Sequence, residues 1–100
     1  FHKIDIIVNN AGVSIGEDFL TYPSEAWEKT YKVNLKAPFE MIQLAGEHMK
    51  RRGGSIINIT SLNSELAFPD NPAYVAFKGA LKQLTKAAAY DLGKSSPRIY

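Results

Sequence analysis

Two short runs rich in β-branched apolar residues and the start of a third strand, separated by stretches long enough for helices, leave this chain few folds. "IDIIVNNAG" (4–12) is a continuous apolar run closed by Asn-Asn and Gly, which reads as a buried strand followed by a turn. "SIINITS" (55–61) reads as a second strand, and Ser95-Ser96-Pro97 leads into a third at Arg98. Parallel strands cannot be joined by a tight turn, so the sequence between them must supply crossovers.

The crossovers are helical in pattern. After a loop-like stretch at 13–23, Ser24 is placed to cap a helix whose first turn holds Glu25. Trp27, Tyr31, Leu35, Phe39, Ile42, Leu44, Ala45 and Met49 then keep roughly helical spacing as far as Arg52. Pro38 predicts a break or kink near Asn34–Ala37, and Gly53-Gly54 ends the helix. Asn71-Pro72 is a cap followed by a first-turn proline, opening a helix that runs to about Gly93. The order β-α-β-α-β therefore predicts an α/β fold with a parallel sheet and right-handed crossovers. There are no repeats, low-complexity tracts or linkers, so no domain boundary falls inside the chain.

Composition narrows the function classes. No run of about 18 apolar residues occurs, which excludes a membrane-spanning helix, and no signal-peptide pattern opens the chain. With no cysteine there are no disulfides or thiolate metal sites, in keeping with a reducing, cytoplasmic setting. His2 and His48 are isolated from other ligands at metal spacing, so no metal site is expected. The formal net charge is only +2, and Lys50-Arg51-Arg52 reads as basic residues complementing the negative end of a helix rather than as a nucleic-acid patch. Phe1 is not an initiator methionine and Ile99-Tyr100 reads as a strand barely begun, so the chain is expected to be a segment of something longer.

Candidate chemistry gathers at one edge. In an open parallel sheet, ligands bind at the carboxyl ends of the strands. Asn9, Asn10 and Gly12 end the first strand, and Thr60 and Ser61 end the second. "YVAFK" (74–78) stands in the first turns of the helix leaving that edge, whereas the same spacing in "YDLGK" (90–94) falls at its far end. Residues four apart share a helix face, so Tyr74 and Lys78 are neighbours. An unperturbed tyrosine hydroxyl titrates near ~10, and bringing that to about 7 takes roughly 4 kcal/mol in favour of the phenolate. An ammonium about 4 Å away supplies that order of energy at an effective dielectric of about 20. The pair is therefore suited to general acid–base work, with Ser61 as a nearby hydroxyl to hold a reacting oxygen. Asn9 is expected to bond across to neighbouring strands; Trp27, Tyr31, Phe39 and Tyr90 fit core or helix-packing roles. Thr60 reads as a strand residue, and Lys82 and Lys86 as a solvent or partner-contact face.

These residues resemble the short-chain dehydrogenase/reductase family over essentially the whole chain. "NNAG" (9–12) is similar to its strand-four motif, "VNL" (33–35) to the stretch with its active-site asparagine, "INITS" (57–61) to the strand with its serine, and "YVAFK" to its Tyr-x-x-x-Lys. Ser61 stands thirteen residues before Tyr74, the family's usual spacing, whereas Phe77 stands thirteen before Tyr90. The resemblance implies a Rossmann-like parallel sheet, here the second half of a doubly wound fold, with residues 1–100 forming part of an NAD(P)-binding domain. It implies that Tyr74 is the acid–base, that Lys78 lowers its pKa and bonds the nicotinamide ribose, and that Ser61 positions the substrate oxygen. Asn34 would hold a water linking Lys78 to solvent, and Asn10, Ala11 and Gly12 would line the NAD or NADP cofactor. The family's two long helices, here roughly 35–52 and 73–93, commonly pair with their copies, which implies a homodimer or homotetramer.

Phe77 stands where the family has a small residue, and Ser64 and Glu65 replace a glycine-bearing turn, which bears on local shape near the substrate. The family's TGxxxGxG loop would precede Phe1, so these residues alone are expected neither to hold cofactor tightly nor to turn over. The expected function is hydride transfer between NAD(P)(H) and a carbonyl/alcohol compound such as a sugar acid, polyol or 3-oxoacyl compound. The competing reading is a non-catalytic segment or degenerate relative that associates through its two helices.

Overall fold

A computed structural model of the protein describes residues 4–50, 53–61, 65–93 and 97–100. His2, Arg51-Arg52, Ser64, Lys94 and Ser95-Ser96 lie outside the described residues. The elements run β1 (Ile6–Asn9), α1 (Ser24–Tyr31), a π-helical turn (Lys32–Lys36), α2 (Ala37–Met49), β2 (Gly54–Asn58), α3 (Pro72–Leu92) and β3 (Pro97–Ile99). The three strands form one parallel sheet in the order β1-β2-β3. Ile7, Ile56 and Ile99 stand in one row across it, as do Asn9 and Asn58 two residues on. The expected β-α-β-α-β order is therefore observed.

Side chains alternate across a strand, so that row fixes a face. Ile7, Ile56 and Ile99 meet Ile42, Ala45 and Met49 of α2 and Leu84, Ala88, Ala89 and Leu92 of α3, so both helices cover the same side of the sheet. Met49 and Ile56 are fully enclosed at the centre of this cluster. On the opposite side Ile6 is 62% and Val8 53% exposed. The reading of the first strand as buried thus holds for one face only. A run of apolar residues without alternation could not reveal that difference.

At the helix starts the expected side-chain caps do not form. Ser24 does not cap α1; it is the first helical residue, and Pro23 precedes it in extended conformation without a side-chain cap. Asn71 precedes Pro72 as expected but makes no side-chain cap either; its Nδ2 donates to Ser14 Oγ at 2.8 Å. At the far end of α2, Gly53 takes φ +79° and its N–H returns to the Met49 carbonyl at 2.8 Å. A Cβ on Gly54 would sit 2.6 Å from Met49 Sδ and 2.9 Å from the Asp5 carbonyl oxygen, so only glycine fits where β2 starts beside α2 and β1.

No helix among the described residues is long and apolar enough to cross a membrane. Of the aromatic residues expected in core or helix-packing roles, Tyr90 is 80% exposed and Phe39 and Trp27 are also exposed, so none of these three belongs to the core. Tyr90 and Phe39 lie on the outer faces of α3 and α2, where helical spacing alone does not distinguish inside from outside.

A polar chain ties sheet to helix under the edge. Asn9 Nδ2 donates to Asn58 Oδ1 at 2.8 Å, Asn58 Nδ2 donates to Thr85 Oγ1 at 3.0 Å, and Thr85 Oγ1 donates to the Leu81 carbonyl at 2.7 Å. Buried groups that lose such partners cost more than the bond itself gains. Asn58→Ala should therefore destabilise the protein by about 1–3 kcal/mol in urea denaturation, since both Asn9 and Thr85 lose a partner. A loss within error of zero would mean that the chain of bonds contributes nothing.

Candidate active site

The carboxyl edge of the sheet is built from three segments. Asn10, Ala11 and Gly12 leave β1 exposed to solvent, Ile59–Ser61 leave β2, and α3 starts at Pro72 above them. A hydrogen bond from the Ile59 N–H to the Asn9 carbonyl, 3.0 Å, continues the pairing of β1 and β2 one step past the strand ends. Loop 13–23 is pinned over the same edge. Glu17 N–H donates to the Asp70 carbonyl at 2.9 Å, and Tyr22 hydroxyl donates to the Ile15 carbonyl at 2.7 Å. Asp70 itself takes φ +56°, a left-handed conformation that aspartate tolerates better than most residues, just before α3 begins.

Asn34 owes its position to Pro38. A proline inside a helix has no N–H for the carbonyl four residues back and clashes with it, and here that carbonyl belongs to Asn34. The irregularity expected here takes the form of a π turn, where the Ala37 N–H reaches five residues back to the Lys32 carbonyl. The turn presents Asn34 inward at 0% exposure. Its Nδ2 donates to the Val13 carbonyl at 2.8 Å and to the Thr30 carbonyl at 2.9 Å. Its Oδ1 is buried with no hydrogen-bond partner among the described residues.

Lys78 comes to the same spot from the other side. It is only 4% exposed, and its Nζ donates to the Ile59 carbonyl at 3.1 Å. The Nζ also lies 5.7 Å from the centre of the Tyr74 ring, one turn earlier on α3. Burial pushes the Lys78 ammonium below its ordinary value of 10.5. Gly12 separates Lys78 from Asn34. A Cβ built on it would stand 3.2 Å from Asn34 Oδ1 and 3.6 Å from Lys78 Nζ.

The structure thus brings together Gly12, Asn34, Tyr74 and Lys78, and places half-buried Ser61 two residues beyond the carbonyl that holds Lys78. Asn10 and Ala11 lie beside Gly12 on the exposed edge. Tyr90 stands at the other end of α3, remote from this edge as topology predicted, and Lys94 lies outside the described residues. Among the described residues there is no group of three or more metal-ligating side chains, and His48 is exposed.

Sequence reasoning missed four partners. The Val13 and Ile59 carbonyls are backbone groups, which no side-chain pattern marks. Asn58 escaped notice as an ordinary strand residue, although an asparagine inside an apolar strand is itself a signal that a bond awaits it. Lys82, read as a solvent or partner-contact residue, forms an ion pair with Glu65.

A model of the short chain dehydrogenase family matches residues 1–100. The chain is 44% identical over 98 residues to 2-dehydro-3-deoxy-D-gluconate 5-dehydrogenase of Bacillus subtilis, covering 97% of this chain and 39% of that protein. Among solved structures, a gluconate 5-dehydrogenase from Burkholderia cenocepacia in complex with NADP and tartrate superposes with a TM-score of 0.93 at 38% identity, covering 96% of this chain and 38% of that one. A 4-hydroxyisoleucine dehydrogenase complexed with NADH gives a TM-score of 0.91 at 35% identity, covering 95% and 43%. The chain spans about two fifths of the length of the curated relatives it matches.

The depressed Lys78 has a measurable consequence. The folded state binds its proton less tightly than the unfolded chain does, so this residue makes stability rise with pH up to about its unfolded value, 10.5. Lys78→Met removes the titrating group. Stability of the wild type relative to this variant should therefore climb as pH is raised toward that value, read from urea titrations at several pH values. Parallel profiles would contradict the burial of a charge here.

Proposed function

The chain belongs to the short chain dehydrogenase family, and from that premise we propose that it carries the acid–base machinery of an oxidoreductase acting on a carbonyl/alcohol carbon. One observation carries this reading: a buried lysine beside a tyrosine ring lies across a glycine from a buried asparagine whose oxygen has no partner among the described residues.

The residues present fit the reactive end of a nicotinamide cofactor. Gly12 leaves room that a side chain would fill, and Asn10 and Ala11 continue the exposed edge beside it. NAD(P)(H), when bound, supplies or accepts the hydride. Asn10, Ala11 and Gly12 would line it, and Lys78 would bond its ribose. Both NADP and NADH occur in the similar structures, which leaves either cofactor open to this chain.

In the reductive direction the Tyr74 hydroxyl gives its proton to the carbonyl oxygen as negative charge develops there. The Lys78 ammonium, held by the Ile59 carbonyl, stabilises the charge left on the phenol oxygen. Ser61 donates to the substrate oxygen and fixes its direction. Asn34 Oδ1 accepts a hydrogen bond from a water through which Lys78 regains contact with solvent. In oxidation each proton moves the other way. Asn34 and Lys78 would thus refill what Tyr74 spends.

A sugar acid or polyol is the proposed substrate, supported by the names of the Bacillus subtilis relative and the Burkholderia cenocepacia structure. The proposed assembly is a homodimer or homotetramer through α2 and α3. Exposed Phe39, Met41 and Leu44 on α2 and Tyr90 on α3 support it by offering apolar surface on both helices. A cytoplasmic setting is proposed from the cysteine-free composition. The activities named for the relatives speak for an enzyme over a pure association module.

Tyr74→Phe in the full-length protein tests the assignment. Turnover should fall by at least about 10²-fold, the scale of lost general acid–base catalysis, while cofactor binding stays near wild type. Steady-state kinetics and a cofactor titration decide it, and retained turnover would remove Tyr74 from the role.

A further inference from the structure

Phe77 occupies the junction between the two helical segments that carry Asn34 and Lys78. Its ring is 8% exposed and packs edge-on against Trp27, with centroids 4.7 Å apart and planes at 61°. It also packs against Tyr31, with centroids 5.5 Å apart and planes at 50°. Trp27 and Tyr31 are four residues apart on α1, so they form adjacent rungs of one helix face and Phe77 engages both. From Tyr31 the helix continues without interruption into the π turn, and Asn34 follows three residues later. On the other helix, Lys78 is the very next residue.

We infer that Phe77 is a positioning residue: its ring, seated on Trp27 and Tyr31, fixes the rotation of α3 that holds Lys78 against the Ile59 carbonyl and opposite Asn34. This inference rests on the roles proposed above. Successive side chains on a helix project about 100° apart, so Phe77 faces α1 while Lys78 faces Gly12 and β2. Turning α3 to refill the space of a smaller residue 77 would swing the Lys78 stem sideways. The 3.1 Å bond to Ile59 has little slack for that. Asn34 is held independently by the Val13 and Thr30 carbonyls, so it would not follow. The two groups would then lose their common position over Gly12. The ring contacts no reacting atom. It acts through the lysine beside it.

The test uses Phe77→Ser and Phe77→Leu in the full-length protein, with Tyr74→Phe alongside. Trp27 is the only tryptophan of this chain, and it touches the ring being changed. A version in which any other tryptophans are replaced by phenylalanine lets its emission report the packing directly. Phe77→Ser is expected to shift that emission to longer wavelength and to lower kcat by about 10²-fold, the cost of an ångström-scale misplacement, with KM for the substrate nearly unchanged. Phe77→Leu, which keeps an apolar wedge, is expected to recover most of kcat. A folded Phe77→Ser protein with altered Trp27 emission and wild-type kcat would overturn the inference, and so would a Leu variant as impaired as the Ser one. If Phe77→Ser does not fold, Tyr31→Ala thins the clamp from the α1 side; a lowered kcat at unchanged KM supports the inference and an unchanged kcat overturns it. A Tyr74→Phe protein that still turns over would instead sink the proposed acid–base reading, whatever residue 77 does.

Discussion

A buried ammonium must be given a partner or it will shed its charge, and the bond from Lys78 to the Ile59 carbonyl is the contact on which the carboxyl edge depends. That carbonyl is available because β2 has just ended and the chain has left the ladder, while the Ile59 N–H still pairs with Asn9. The bond therefore links the tip of the central strand to the second turn of α3 and sets how far the helix stands off the sheet. Tyr74, one turn earlier, inherits its place from that distance. Burial works against the lysine's charge and the carbonyl works for it, which keeps the group responsive to what is placed beside it.

The π turn is the second device, and it has a local cause. Pro38 denies Asn34 a backbone partner, and the helix answers by widening rather than breaking. The side-chain amide then spends both its hydrogens on carbonyls of the protein, one across to the loop and one back down the helix. Only the oxygen remains, aimed into the space that Gly12 keeps clear. An asparagine in an ordinary α turn would have no reason to be held so firmly.

Much of this was legible in the residues themselves. The strand runs are short, β-branched and bounded by turn formers, and the interval between them suits helices, so the parallel sheet followed from spacing. The position of Tyr74 at the sheet edge, and of Tyr90 away from it, followed from topology. What could not be read was anything decided by geometry between distant segments. Pro38 marks an irregularity, but that it is a π turn with Asn34 bonded to loop 13–23 is a matter of such geometry. Asn71 makes no side-chain cap on its own helix, and its side chain bonds Ser14, more than fifty residues earlier. The exposure of Tyr90 and of Ile6 and Val8 depends on which face the helices choose.

The side of the sheet turned away from α2 and α3 carries Ile6, Val8, Ile59 and Tyr100, all substantially open to water. Contiguous apolar area of this kind is adhesive. Handled by itself, the polypeptide would tend to stick to hydrophobic resins, dyes and its own kind, so preparations need dilute conditions or a solubilising fusion. Polar replacements at Ile6 and Val8 would loosen that grip without touching the chemistry at the strand tips.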